Sequence, residues 1–511
     1  MPQLPNRSTR PSSNKHERGA SLILFTFLTV LVVIPMIGLA IDGSILFWTK
    51  AKLSAAVDAA ALAAGRNPAA DPNTIAAQYV NANFPPGWQG TTLSMPPPVV
   101  DFPQQSTRRV TVNASVTVPA YFMGILGHKT STVSAAAASS RRDANIILVL
   151  DRSGSMGGAA CSTMKASAQT FVNYFADGRD RLGLVTFTAG ANSDFPFPSA
   201  TNPVPVTDFQ TRSPHNLNYY ISQLVCGSNT NSAAALNLAY QEIQNLGAPA
   251  KASNGALNVI VFFTDGQPNG VTATFPIRDT ADDRYGSTDT GILKTPLDLG
   301  ADPPKCGANV LTGVIAQWSG GAVSTGTTVG LMQTTVPTTT ANGCPGLSIC
   351  NGDNVPLIPA SGCTFNDKGA AYMRRDIAYI PDKDLYGNPT IGYVTDPSDK
   401  VQTGPYANGT NLRVDVPASV VHASLSTADA QAQAIIHDKL GYDPVIYVIG
   451  LGGAPDANVD FQTFLERVAN DPRSNIYDSS RPTGSFVFSP DYTQLAAAFQ
   501  QVASQVLRLS Q

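Results

Sequence analysis

Apolar and polar positions divide this chain into regions of different period. Near the N-terminus, Ala20 to Ile41 (ASLILFTFLTVLVVIPMIGLAI) runs without a charge. About 20 apolar residues suffice to cross a bilayer as a helix. Pro35 and Gly38 fall inside the run, and both residue types are tolerated in membrane helices. A cleavable signal sequence is the rival, but its apolar core is usually only about 7–15 residues long. Here the run continues into a further helical stretch, Ser44–Ala64, so a retained single-pass anchor is the expectation. On that stretch Leu46, Leu53, Val57, Ala61 and Leu62 share roughly one side.

The pattern then changes to strands. Thr74–Asn83 predicts a short helix, Arg109–Pro119 (RVTVNASVTVP) alternates as a strand, and Ser131–Ala138 predicts another. Ser139–Asp143 reads as a linker. From Ala144 onward, buried-strand runs alternate with helical faces. The strands are Ile146–Leu150, Leu182–Thr188, Leu257–Phe263 and Val445–Leu451. The helical faces are Met164, Ala168, Phe171, Val172 and Phe175; then Leu236, Ala239, Tyr240, Ile243 and Leu246; and last Leu495, Ala498, Phe499, Val502 and Val506. Ser426 and Asp429 resemble a capping box opening a helix through Leu440. Strand–helix alternation of this kind predicts an α/β fold with a doubly wound, mostly parallel sheet.

One long stretch, about 268–424, breaks the alternation. It is rich in Gly, Pro, Thr and Asp, and holds four of the six cysteines: Cys306, Cys344, Cys350 and Cys363. A segment that long needs order of its own, so a Cys-stapled insertion is expected. Ile391–Thr395 and Leu412–Val416 are its strand candidates.

Composition refines this picture. Net charge is −3 and only 14% of residues are charged, so no global field points to nucleic acid. A weakly charged polar surface fits an exported protein. Arg7, Arg10, Lys15 and Arg18 precede the apolar run, while only Lys50 and Lys52 follow it closely. That asymmetry keeps the N-terminus in the cytoplasm and exports the rest. No C-x-x-C occurs and no His stands at a zinc-type spacing, which argues against zinc. In an oxidising compartment the six cysteines could form disulfides; buried free thiols are the alternative reading.

The candidate chemistry lies at strand ends. Asp151-Arg-Ser153-Gly-Ser155 follows the strand Ile146–Leu150. Ser228-Asn-Thr230 opens a polar loop that runs into a helix. Thr264-Asp265-Gly266 follows the strand Leu257–Phe263. Parallel sheets bind ligands beyond their C-terminal strand ends, so these three segments are expected to converge. Two carboxylates there would repel each other without a cation. Oxygen-bearing side chains suit a small hard ion, Mg²⁺ first, with Mn²⁺ or Ca²⁺ able to substitute. Cys161 and Cys226 flank the first two segments and are the disulfide candidates there.

D-x-S-x-S, a loop threonine and T-D-G together resemble the metal-ion-dependent adhesion site of von Willebrand factor type A (VWA) domains. The resemblance implies a metal set of Asp151, Ser153, Ser155, Thr230 and Asp265. Ser153, Ser155 and Thr230 would ligate directly and the aspartates directly or through water. One position would stay open for an acidic residue of a protein partner. Ser228-Asn229 departs from the small residues common before that threonine. The segment Arg18-Gly-Ala through Ala40-Ile-Asp42 and Ala55–Gly65 is similar to the N-terminus of TadG-like Flp (tight adherence) pilus-assembly proteins. Class III pilins carry Glu at the fifth position after a cleaved Gly, but Leu24 stands there after Gly19, against prepilin processing.

The expected organisation is a cytoplasmic tail (1–18), a membrane and juxtamembrane helix (19–66), a small α+β exported module (67–142) and a VWA domain (143–511) carrying the insertion. The expected function is metal-dependent protein binding in Flp/Tad pilus assembly or adhesion, at the bacterial inner membrane, with pilus-assembly proteins among the partners. A surface adhesin without a pilus role is the alternative. A serine hydrolase is remote: no G-x-S-x-G elbow or phosphate loop occurs, and the five histidines are scattered.

Overall fold

The computed structural model describes residues 24–66, 71–175, 177–178, 180–198, 207–227, 229–276, 310–318, 328–332, 379–393, 407–408, 411–413, 417–452 and 461–510. The basic residues before the apolar run, Ser228 and the four insertion cysteines lie outside them. The chain divides into two compact units, residues 1–101 with 109–140, and residues 102–108 with 141–511.

In the first unit a single helix, α1, runs over Leu24–Arg66, 43 residues, with one π turn at Thr29–Val33. Its first half is exposed and apolar. Its second half turns Leu53, Val57, Ala60 and Ala64 into a core. The i, i+4, i+7, i+11 spacing of those residues puts them on one face. Leu62, expected on that side, is instead exposed. Helix α2 (Pro72–Asn83) starts at Asp71, whose carboxylate accepts from the backbone N–H of Asn73 and Thr74, a standard N-cap. It adds Ala76 and Val80 to the core. A four-stranded sheet completes it: β1 (Thr92–Ser94), β2 (Val99–Gln104), β3 (Thr107–Pro119) and β4 (Thr130–Arg142), with β3 pairing the other three. Alternate residues Val110, Val112, Ala114, Val116 and Val118 of β3 point inward, as period-2 alternation requires.

The expected linker Ser139–Asp143 does hold the boundary between the two units, at Ser140/Arg141, but as strand rather than irregular chain. Strand β4 continues to Arg142 and β5 starts at Ala144, leaving Asp143 alone between them. The polar letters hide the strand, because Arg141 is buried and Arg142 half-buried against specific partners. Arg141 Nη2 meets Asp180 Oδ2 at 2.5 Å, and Arg142 donates to the carbonyls of Gly255 and Ala256.

The second unit is built on a six-stranded sheet in the order β16-β15-β8-β5-β6-β7. The strands are β5 (Ala144–Asp151), β6 (Arg181–Phe187), β7 (Ala191–Phe195), β8 (Leu257–Thr264), β15 (Val445–Leu451) and β16 (Ser485–Ser489). All neighbours pair in parallel except the edge strand β7, which runs antiparallel to β6. β5, β8 and β15 are buried at every position, the mark of strands covered on both faces. Helices α3 (Ala159–Val172) and α8 (Leu495–Leu509) pack together, as do α5 (Ser232–Asn245) and α6 (Pro417–Ile436). Short helices α4 (Leu217–Gln223) and α7 (Phe461–Val468) complete the set.

Helix α6 corrects the capping-box expectation. It begins at Pro417, nine residues before Ser426. Ser426 and Asp429 are mid-helix and serve tertiary bonds: Ser426 Oγ accepts from Tyr393 N, and Asp429 takes a two-pronged pair from Arg467 at 2.8 and 2.7 Å.

Within the insertion, β9 (Gly270–Pro276), β10 (Val310–Trp318) and β11 (Thr328–Met332) form an antiparallel sheet. Val314 and Ala316 of β10 pack on Ala189. A second sheet joins β12 (Tyr379–Ile380), β13 (Ala407–Asn408) and β14 (Asn411–Arg413). Residues 391–393 are not a strand; the rest of that candidate, 394–395, lies outside the described residues. Of the candidate Leu412–Val416, Leu412 and Arg413 are strand; residues 414–416 lie outside the described residues.

Candidate metal centre

The chain enters the sheet at β5, winds outward through β6 and β7, then returns to the other side of β5 at β8. Beyond the C-terminal ends of β5 and β8, therefore, the connections leave in opposite directions. That crevice is where doubly wound sheets bind ligands. Asp151 is the last residue of β5, and Asp265 follows the last residue of β8.

Four of the five expected site residues meet there directly. Ser155 Oγ donates to Asp265 Oδ1 at 2.7 Å, and Ser153 Oγ reaches the same oxygen at 3.4 Å. The two hydroxyls are 3.0 Å apart. Asp151 accepts from its own turn, Ser153 N to Oδ1 at 2.8 Å. Its other oxygen accepts from Thr264 Oγ1 at 2.6 Å. Thr230 comes to the same end of the sheet by another route. Its N–H donates to Asn269 Oδ1 at 2.7 Å, and its carbonyl accepts from Asn269 N and Gly270 N. It is thus bound to the segment that continues from Asp265, not to the carboxylates.

Several supporting residues escaped the sequence reading. Thr264 is part of the T-D-G motif but not of the expected ligand set, yet its hydroxyl holds Asp151. Asn231 caps α5, and its side-chain amide donates to Ala189 O at 2.9 Å and Thr272 Oγ1 at 2.7 Å. Asn at the residue before a helix is a readable cap signal; its tertiary bonds are not. Arg152, buried beside Asp151, sends its guanidinium to Thr186. Its carbonyl accepts from Gly227 N at 2.7 Å. A disulfide joins the neighbouring Cys226 to Cys161 on α3, the pairing expected from sequence. The loop leading to Thr230 is therefore tied covalently and by a hydrogen bond to the turn that carries Ser153 and Ser155.

Electrostatics is the decisive property of the cluster. Asp151 is fully buried. Burial first, and the Asp265 charge second, push its carboxyl up to about 7. Burial raises Asp265 too. No basic side chain among the described residues pairs with either. A buried and a half-buried carboxylate facing hydroxyl groups, with no basic side chain beside them among the described residues, make a donor set that a hard divalent ion fits. Among the described residues no three His, Cys, Asp or Glu gather as a metal group.

The family model of the von Willebrand factor type A domain matches residues 145–288. The chain carries a VWA domain. The match ends inside the insertion, while the strands that finish the VWA sheet, β15 and β16, come from beyond it. A second model, of the Tad family of Flp pilus-assembly TadE/G-like sequences, matches residues 19–70. No curated protein matches the chain. Solved structures are similar at low identity. The vWF domain of the type V pili tip protein Mfa5 from Porphyromonas gingivalis is 16% identical, with 73% of this chain and 97% of that one covered and a TM-score of 0.32. The PilB minor pilin from Streptococcus sanguinis is 14% identical over 83% and 80%, TM-score 0.32. A von Willebrand factor type A protein from Catenulispora acidiphila is 11% identical over 82% and 50%, TM-score 0.31. The VWA assignment itself rests on the family match and the sheet order.

Proposed function

We propose that this pilus-associated VWA protein is a membrane-anchored binding protein that grips a protein partner through a divalent cation. Asp151, Ser153, Ser155, Thr230 and Asp265 would hold the ion, Mg²⁺ by preference of the all-oxygen set. When bound, the cation supplies a positive centre to which a partner's carboxylate can bind. The observation that carries this reading is the pair of carboxylates, Asp151 buried and Asp265 half-buried, converging on two serine hydroxyls with no basic partner among the described residues. The Tad match and the apolar helix support a role in pilus assembly with α1 as the anchor, and the basic residues Arg7, Arg10, Lys15 and Arg18 before the helix favour a cytoplasmic N-terminus and an exported VWA domain.

The chain is read as a binder and not an enzyme. The hydroxyls of Ser153 and Ser155 face a carboxylate, while His437 pairs with Asp478 and His215 stacks on Tyr219. The test is a pull-down from membranes with the full chain, wild type against Asp151→Ala, with and without chelator. Partners lost in both arms name the ligand class, and pilus subunits among them support the assembly role. A partner set unchanged by chelator and by Asp151→Ala would remove the metal-dependent reading.

A further inference from the structure

Asp42 ends the apolar run, yet its carboxylate is only 4% exposed. It accepts three successive backbone N–H groups, from Tyr121 at 3.1 Å, Phe122 at 3.0 Å and Met123 at 2.8 Å. Those residues form the tip of the β3–β4 hairpin. One turn earlier on the same face of α1 is Gly38, buried among exposed neighbours. A Cβ on Gly38 would come within 2.6 Å of the Cβ of Phe122. Gly38 and Asp42 thus make a notch in the helix that the hairpin tip fills.

We infer that the tip of the β3–β4 hairpin is a second membrane contact, entering the interfacial layer of the exported-side leaflet alongside α1. The inference rests on reading α1 as a membrane span and adds a surface that the span alone does not require. Its argument is depth. Gly38 lies inside the uncharged run, and one helical turn places it about 6 Å deeper than Asp42. Phe122, packed on Gly38, is therefore carried to the level of the apolar segment. Tyr121 beside it is 60% exposed, and so are Phe47 at 73% and Trp48 at 69%, just beyond Asp42 on the helix. Aromatic side chains gather at membrane–water interfaces, where an apolar body and a polar edge are both accommodated.

The chemistry of the tip fits that depth. Backbone at the edge of the hydrocarbon must have its N–H groups satisfied from within the protein. Asp42 satisfies three of them. Ala120 N donates to Lys129 O at 3.0 Å, Gly127 N to Gly124 O at 3.2 Å and His128 N to Met123 O at 3.0 Å. In return the tip shields a carboxylate that would be costly at the membrane boundary. Lys129 then leads the chain back out as an exposed cation.

Depth-dependent fluorescence quenching tests this on the full chain in phosphatidylcholine vesicles with bromines placed high or low on the acyl chains. Trp48, Trp88 and Trp318 are first replaced by Phe. Tyr121→Trp then reports the tip and, in a separate protein, Leu28→Trp reports the span. Expected is loss of Tyr121→Trp emission with shallow bromines, and of Leu28→Trp emission with deep ones. Adding Asp42→Ala should abolish quenching at 121 and leave that at 28. An unquenched tip with a quenched span overturns the hairpin contact and leaves the anchor standing. If neither is quenched, both fall. Quenching at 121 that survives Asp42→Ala overturns the carboxylate clamp on which the inference is built.

Discussion

Thr264 donates its hydroxyl to Asp151 at 2.6 Å across the β5–β8 pair. The two residues are the final positions of neighbouring parallel strands, so sheet register itself aims one at the other. This bond favours the ionised form of a carboxyl that burial drives the opposite way.

Loss of that donor has a defined effect. Thr264→Val keeps the shape and leaves a buried carboxylate one hydrogen bond short, a cost of about 1–3 kcal/mol. The unfolding free energy from urea titration in chelator should fall by that amount near pH 7. The Asp151 carboxyl should titrate still higher, and Mg²⁺ affinity, read by calorimetry, should weaken. Unchanged affinity would mean that the bond does not position Asp151 for a cation.

The pH dependence of the metal-free protein follows from Asp151. Its unfolded value is near 3.8 and its folded value about 7. Between those limits the folded chain retains a proton that the unfolded chain has lost. Stability therefore falls as pH rises through this window, by on the order of 4 kcal/mol. Mg²⁺ should flatten the slope, because the ion stabilises the ionised form. Asp151→Asn should be more stable than wild type in chelator at pH 7, lose most of the pH 4–7 slope and gain nothing from Mg²⁺. Denaturant titrations at stepped pH check all three.

The Cys161–Cys226 bond closes a loop of 65 residues in sequence separation. Constraint of the unfolded chain by a loop of this size is worth about 2–4 kcal/mol. Replacing both cysteines with serine should lower the stability by that amount. Because the bridge ties the Thr230 loop to the helix behind Ser155, cation affinity should also drop. Stability lost with affinity retained would confine the bridge to a folding role.

Gly484 offers a contrasting variant away from the metal centre. A Cβ there would lie 1.8 Å from the carbonyl oxygen of Ile446 and 2.5 Å from that of Ala469. Both are backbone atoms that no rotamer change can move. Gly484→Ala should destabilise by about 1–3 kcal/mol or more, with Mg²⁺ affinity of the remaining folded fraction unchanged. Thermal melts and calorimetry separate the two.

Much of the fold was legible because burial on both faces leaves a plain signal. Ile146–Leu150, Leu257–Phe263 and Val445–Leu451 are unbroken apolar runs, and each is a central strand. Polar letters were harder to read. Arg141 and Arg142 looked like a linker and are strand residues held by Asp180 and by backbone carbonyls. Ser426 and Asp429 looked like a helix start and are mid-helix, drawn to Tyr393 and Arg467. In each case a partner far along the chain set the role of a polar side chain.

The sequence by itself determined the central strands and the parallel sheet and pointed to the candidate site residues, because period and local spacing depend only on near neighbours. Tertiary structure decided the rest. It placed Asp151 and Asp265 on either side of the point where the chain reverses its winding, and set Thr264 against Asp151 by register. It also seated the hairpin tip in the Gly38–Asp42 notch. Those pairings join residues roughly 80 to 110 positions apart, and only a folded core holds such distant groups at hydrogen-bonding distance.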